Sequence, residues 1–181
     1  LNINGYHNIY NSLAAFALAH EYILDVNIIK NAIEKYHGVG RRFEYLGKYN
    51  GAYIYDDYAH HPSEIKTTLE SVKSVKHKSS WAVFQSHTYS RTKEHLDAFA
   101  DVLANFDHVI IAKIYPAREI NTFNISEEML VDKIKDKNPN VIYIDDFDKI
   151  VEFLKENVKE EDLVITIGAG PINYVSKKLV D

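Results

Sequence analysis

The chain has 181 residues, 46% of them hydrophobic and 26% charged, with a formal charge of −5 and no cysteine. That length and balance suit a globular domain with a sizeable core, and the negative charge without a long basic stripe argues against sequence-independent nucleic-acid binding. Disulfides, thiolate metal sites and cysteine nucleophiles are excluded, no apolar run approaches the ~18 residues of a membrane span, and no signal-peptide pattern opens the chain.

Read from its start, the chain enters a patterned segment at once, as a piece of a longer protein would. Residues 7 to 20, HNIYNSLAAFALAH, place Ile9, Leu13, Phe16 and Ala17 on one helical stripe. A second short helix is predicted over 26 to 36, after Asp25, and HGVG at 37 to 40 reads as a glycine-bearing hinge. From Arg41 the pattern changes. RRFEYLGKYNGAYIYDDYA reads as a β-hairpin turning at Asn50-Gly51, the dipeptide favoured in type I′ turns. Helices and strands then alternate: helix 62–76, strand 81–85, helix 92–106, strand 108–114, helix 126–136, strand 141–145, helix 147–158, strand 162–170 and a closing helix. KSVKHKSS at 73 to 80, the most basic stretch, reads as a solvated helix end. The strands are apolar along their whole length, which predicts a mostly parallel sheet covered on both faces. The expected fold is α/β: a Rossmann-like, doubly wound domain over 38–181, opened by the hairpin and preceded by a short helical segment over 1–37.

Chemistry concentrates in four loops that follow strands: DDYAHH at 56–61, QSHTYSRT at 85–92, YPARE at 115–119 and GAGPIN at 168–173. In a parallel sheet such loops share one edge, where open α/β folds bind ligands. Each motif admits two readings. Alternation along a strand turns one of Asp56 and Asp57 toward the body and the other toward the edge; either could cap the helix at Pro62 or accept the hydroxyls of a ribose. Adjacent His60 and His61 lack a third ligand nearby, so no metal site is assigned; they suit substrate hydrogen bonding or loop ordering. Ser90 or Thr92 is expected to cap the next helix, leaving Arg91 in a first turn, where the helix dipole disfavours a cation. An anionic ligand or a local salt bridge would explain it there. GAGPIN lacks the third glycine of a dinucleotide fingerprint, and no GxxxxGK[ST], Gly-x-Ser-x-Gly or His-Glu-x-x-His occurs.

GYHNIYNSLAA (5–15), GVGRRFE (38–44), DDYAHHPSEIKTTL (56–69), FQSHTYSRT (84–92), IYPARE (114–119) and GAG (168–170), in this order, closely resemble the C-terminal third of the Mur ligases, in the branch that joins L-alanine to UDP-N-acetylmuramate. The branch that attaches recycled murein peptides shares the double histidine and stands as the alternative; a free-standing nucleotide-binding module is a further one. The resemblance implies a cytoplasmic, ATP-dependent ligase of peptidoglycan precursor synthesis. ATP would activate the muramic carboxylate as an acyl phosphate, with Mg2+ held mainly by a central ATPase domain outside this chain. Residues 1–37 would be the last helices of that central domain, and 38–181 the C-terminal domain packing on it. The resemblance carries Asn8 and Asn11 to adenine, Arg42 to the ATP phosphates or ribose, and Asp57 to ribose. It carries Tyr58, His60, His87 and Arg91 to the pocket for L-alanine, Arg91 pairing with the carboxylate. Thr88 stands where many relatives have arginine, and Pro171 where an acid or asparagine is common, so the last loop is assigned no contact. A fragment without the P-loop is expected to be inactive alone.

Overall fold

The computed structural model describes residues 6–23, 25–36 and 38–181. The chain divides into two compact units, one up to Gly40 and the other Arg41–Asp181.

In the first unit, α1 (Tyr6–Tyr22) is followed by α2 (Val26–Glu34), whose N-terminus is capped by the Asp25 carboxylate accepting from the Asn27 N–H at 2.8 Å. Both helices meet the sequence expectation; of the hinge expected over 37–40, residue 37 lies outside the described residues. Leu13, Leu18 and Tyr22 of α1 are 59%, 64% and 81% exposed.

The second unit begins with the expected hairpin, β1 (Glu44–Tyr49) and β2 (Ala52–Asp57), which pair antiparallel. Its turn has positive φ at both Asn50 (46°) and Gly51 (85°), as a type I′ turn requires. Then follow α3 (Pro62–Ser74), β3 (Ser80–Phe84), α4 (Tyr89–Glu94), α5 (Leu96–Leu103), β4 (His108–Ala112), α6 (Glu127–Lys135), β5 (Val141–Ile144), α7 (Phe147–Asn157), β6 (Leu163–Ile167) and α8 (Asn173–Val180). The sheet order is β1-β2-β6-β3-β4-β5, with every pairing beyond the hairpin parallel.

Alternation along the strands divides the core in two. Leu163, Ile165 and Ile167 of β6 join Phe84, Phe99, Leu103, Leu130 and Ile65 on the face covered by α3, α5 and α6. Val164 joins Ile54, Val83, Ile110, Ile150, Leu154 and Val175 on the face covered by α7 and α8. This is the doubly wound layering expected of strands apolar on both sides.

The bounds of several elements shift by one or two residues from the sequence reading, and two elements differ more. The helix expected over 92–106 begins earlier, at Tyr89, because Thr88 rather than Ser90 or Thr92 is the N-cap, and it breaks at His95 into α4 and α5. The last strand stops at Ile167, not at residue 170, because Gly168 turns away at φ 150°. A Cβ there would lie 2.6 Å from the Gln85 carbonyl oxygen, so only glycine passes.

The connections leaving β2 and β3 lead to helices on one face, whereas that leaving β6 leads to α8 on the other. The crevices beside β6 are therefore where neighbouring loops part, the location at which such sheets hold ligands.

Candidate active site

The four polar loops converge as the topology requires, and backbone hydrogen bonds lock them together. Gly168 N–H donates to the Asp57 carbonyl at 3.0 Å, and Gln85 N–H to that of Ile167 at 2.9 Å. The loops after β3 and β4 are zipped by Thr88 N–H to Tyr115 O at 2.8 Å and Tyr115 N–H to Ser86 O at 2.9 Å. Arg41, Phe43, Thr88 and Ala117 all hold positive φ in these loops or against them. Non-glycine residues keep that conformation only where the surroundings impose it, at about 1–3 kcal/mol each.

Along this edge the side chains form a continuous line. The Tyr58 ring meets the His60 ring edge-on at 5.5 Å, His60 lies 6.0 Å from His87, and His87 lies 5.6 Å from Tyr115. Arg91 Nη1 stands 3.3 Å from His87 Nδ1. Tyr58, His60, His87 and Arg91, read from two separate loops, are thus neighbours.

Their protonation follows from their partners. A guanidinium only donates, so His87 Nδ1 accepts from Arg91 and its neutral proton sits on Nε2. Burial, then the charge of Arg91, then His60 lower the His87 pKa below its ordinary value, against a smaller opposing pull from Glu119. His60 Nδ1 lies 3.0 Å from the Tyr58 carbonyl oxygen, which can only accept. The His60 proton therefore sits on Nδ1, leaving the Nε2 lone pair available to take a proton.

Among the described residues no carboxylate lies within ion-pair distance of Arg91. The acid of the neighbouring loop, Glu119, is engaged with Ser90, accepting from its N–H at 2.9 Å and its hydroxyl at 2.5 Å. Of the two readings of Arg91, the local salt bridge is not made.

The paired aspartates take different places from those expected of caps. Asp56 is 1% exposed and accepts from Arg41 Nε at 2.9 Å and Thr166 Oγ1 at 2.6 Å. Asp57 is 7% exposed and accepts from the N–H groups of Ala59 (2.9 Å) and Phe43 (3.2 Å) and from the Thr68 hydroxyl (3.1 Å). Burial raises the Asp57 pKa despite those hydrogen bonds. Neither caps α3. That role falls to His61, whose Nδ1 accepts from Ser63 N–H while Glu64 Oε2 accepts from His61 N–H at 3.2 Å and His60 N–H at 2.9 Å. His61 thus orders the loop.

Arg42 is exposed, its guanidinium 5.9 Å from the Tyr58 ring. Asn8 and Asn11 belong to the first unit, one turn apart on α1, with Asn11 Nδ2 donating to Asn8 Oδ1 at 3.4 Å. Among the described residues no group of three His, Asp or Glu is arranged to hold a metal ion. A cavity of about 540 Å³ lies beyond Tyr115, lined by Gln85, Lys113, Tyr115, Asp145, Phe147 and Tyr174 among others; none of Tyr58, His60, His87 and Arg91 lines it.

Sequence reasoning did not find Arg41, Glu64, Thr166 or Glu119. Glu64 had a signal, an acid three residues after the cap position, obscured because histidine stood in place of serine or threonine. The others act across long sequence separations.

A family model, Mur ligase, glutamate ligase domain, matches residues 41–170. The chain belongs to the Mur ligase family. It is 49% identical over 181 residues to a UDP-N-acetylmuramate–L-alanine ligase of Caldanaerobacter subterraneus subsp. tengcongensis, covering all of this chain and 39% of that protein. It is 46% identical over 180 residues to the ligase of the same name from Lachnospira eligens, covering 99% of this chain and again 39% of the relative. The crystal structure of UDP-N-acetylmuramate–alanine ligase from Thermotoga maritima superimposes with a TM-score of 0.81 at 27% identity, over 98% of this chain and 38% of that one. A murein peptide ligase from Psychrobacter arcticus shares the fold, with a TM-score of 0.66 at 24% identity over 98% of this chain and 37% of its own. Residues 41–170 therefore correspond to the Mur ligase C-terminal domain, and the chain spans about two fifths of the length of the relatives it matches.

Proposed function

We propose that this chain is the part of a cytoplasmic, ATP-dependent ligase that holds the incoming amino acid as L-alanine is joined to UDP-N-acetylmuramate. The observation that carries the reading is Arg91: a guanidinium without a carboxylate partner among the described residues, beside a neutral histidine, at the ligand edge of the sheet. The carboxylate of an amino acid fits it, because a charged fork recognises two oxygens at once. Tyr58, His60 and His87 form the remainder of that pocket, His60 Nε2 being placed to take a proton from the amine.

ATP, when bound, supplies the phosphoryl group that activates the muramic carboxylate. On this reading Asn8 and Asn11 serve adenine, Arg42 the phosphates or ribose, and Asp57 the ribose. The buried Asp57 carboxylate already accepts three hydrogen bonds, so its part in ribose binding rests on its remaining lone pairs. The described residues do not fit Mg2+, which we assign to the part of the ligase outside this chain. The exposed apolar side chains of α1 support packing of the first unit within the central domain of the complete enzyme. No helix among the described residues is long and apolar enough to cross a membrane.

The test is substrate choice by the complete ligase supplied with ATP and UDP-N-acetylmuramate. Phosphate release with L-alanine and not with a murein peptide is expected; turnover with the peptide alone would move the protein to the other branch.

A further inference from the structure

Arg41 is the first residue of the second unit and has no part in the function proposed above, yet its bonds reach three separate pieces of the ligand edge. Its guanidinium donates from Nε to Asp56 Oδ2 at 2.9 Å and from Nη2 to the Gly168 carbonyl at 2.6 Å. The same group lies 4.9 Å from the centre of the Tyr58 ring, and the Arg41 carbonyl accepts from the Tyr58 N–H at 2.7 Å. The residue holds this arrangement at φ 60°, and its own N–H is taken by Glu44 Oε2 at 2.6 Å.

We propose that Arg41 is a positioning residue: it fixes the Tyr58–His60 arm of the amino-acid pocket against the loop that follows β6. The proposal rests on the function given above.

Three features carry it. First, Asp56 is 1% exposed, and among the described residues Arg41 is the one cation within ion-pair distance of it. A buried pair of this kind contributes little net stability compared with an apolar pair, but breaking it leaves an uncompensated charge. What the pair does supply is direction. Second, the guanidinium fork makes two bonds at a fixed angle, one to β2 and one to the β6 loop, which a lysine ammonium cannot reproduce. Third, the pair is braced from behind: Thr166 Oγ1 donates to Asp56 Oδ1 at 2.6 Å and sits 2.9 Å from Ser176 Oγ of α8. The line of contact runs from α8 through Thr166, Asp56 and Arg41 to Tyr58, and from Tyr58 edge-on to His60.

The experiment uses the complete ligase with two variants. Arg41→Lys keeps a cation near Asp56 but cannot span both acceptors. The double variant Arg41→Gln with Asp56→Asn removes both charges and so avoids a buried unpaired carboxylate. Histidine ring resonances are recorded by NMR without ligands, and initial-rate constants are measured for L-alanine and ATP. His108, stacked on Trp81 at 3.9 Å at the opposite end of β4, reports on the fold. Both variants should displace the His60 resonance and leave that of His108 in place. The KM for L-alanine should rise about ten- to a hundredfold, as a misplaced binding group costs, with the KM for ATP unchanged. An unmoved His60 resonance overturns the proposal, and so does a displaced one with an unchanged KM for L-alanine. Movement of His108 in both variants would make Arg41 a residue of the fold alone. Should the parent enzyme not use L-alanine, the functional reading fails, and the His60 resonance by itself decides whether Arg41 holds the arm.

Discussion

His87 and Arg91 set each other's chemistry. The guanidinium Nη1 at 3.3 Å from Nδ1 requires a neutral imidazole, and burial together with that charge lowers the His87 pKa from its ordinary 6.5. Because the folded protein holds His87 neutral to lower pH than the unfolded chain does, it binds fewer protons between the two values. Stability from this group is therefore complete above pH ~6.5 and is lost as pH falls through the folded value. An NMR titration should give His87 a midpoint below 6.5, and Arg91→Gln should move it upward while burial keeps it below the ordinary value. A midpoint at or above 6.5, or one indifferent to Arg91, would contradict the assignment. That the loops after β2 and β3 carry polar side chains to one edge could be read from the sequence, because strand ends and a proline are local signals. Tyr58 and His87, by contrast, are singled out by the family resemblance. The dipole argument for Arg91 does not hold, since α4 is so short that Arg91 also lies in its last turn. The Arg41–Asp56 pair could not be read from the sequence. Its members are 15 residues apart, and choosing Arg41 over Arg42 depends on a left-handed backbone that no local pattern announces.

The start of α3 shows how an element places a side chain. Glu64 accepts from the N–H groups of His60 and His61, closing the first turn and tying the loop that carries His60. Burial pushes the Glu64 pKa up, but those two N–H donors, joined by the charge of His60 once it is protonated, outweigh it, so the value falls below the ordinary one. Glu64→Ala should cost about 1 kcal/mol, the usual loss for a cap, seen as a fall in Tm of about 2–4 °C by calorimetry. Glu64→Gln, which keeps an acceptor oxygen, should recover most of it; equal losses in the two variants would show that charge rather than capping matters. At this scale the hairpin was legible because Asn50-Gly51 names its turn type. The split between α4 and α5 was not. The apolar stripe runs through His95, and the cap that starts the helix early is a threonine at φ 67°. The end of β6 was hidden for a similar reason: an apolar run does not show where the Gln85 carbonyl crowds the backbone.

For the whole molecule, the alternation of apolar strands and helices sufficed to give the doubly wound layering, whereas the order β1-β2-β6-β3-β4-β5 had to come from the structure. That order sets β6 between β2 and β3, so loops distant in sequence meet at one edge. The chain covers about two fifths of the ligases it resembles, and its sequence contains no GxxxxGK[ST] phosphate cradle. Alone it should release no phosphate from ATP in the presence of UDP-N-acetylmuramate and L-alanine, since positioning the phosphoryl group is nearly all of that catalysis. Substrate-dependent release by the isolated chain, in a coupled phosphate assay, would show the account of its role to be wrong. The central claim is that Arg91 and His60 bind the amino acid, and kinetics of the complete ligase test it most directly. Losing a charged hydrogen bond of about 1.5–3 kcal/mol should raise the KM for L-alanine roughly ten- to a hundredfold in Arg91→Ala, and His60→Ala should raise it as well, with the constants for ATP and UDP-N-acetylmuramate nearly unchanged. Variants that keep their L-alanine constant but lose ATP would contradict the claim and make this edge a nucleotide site throughout.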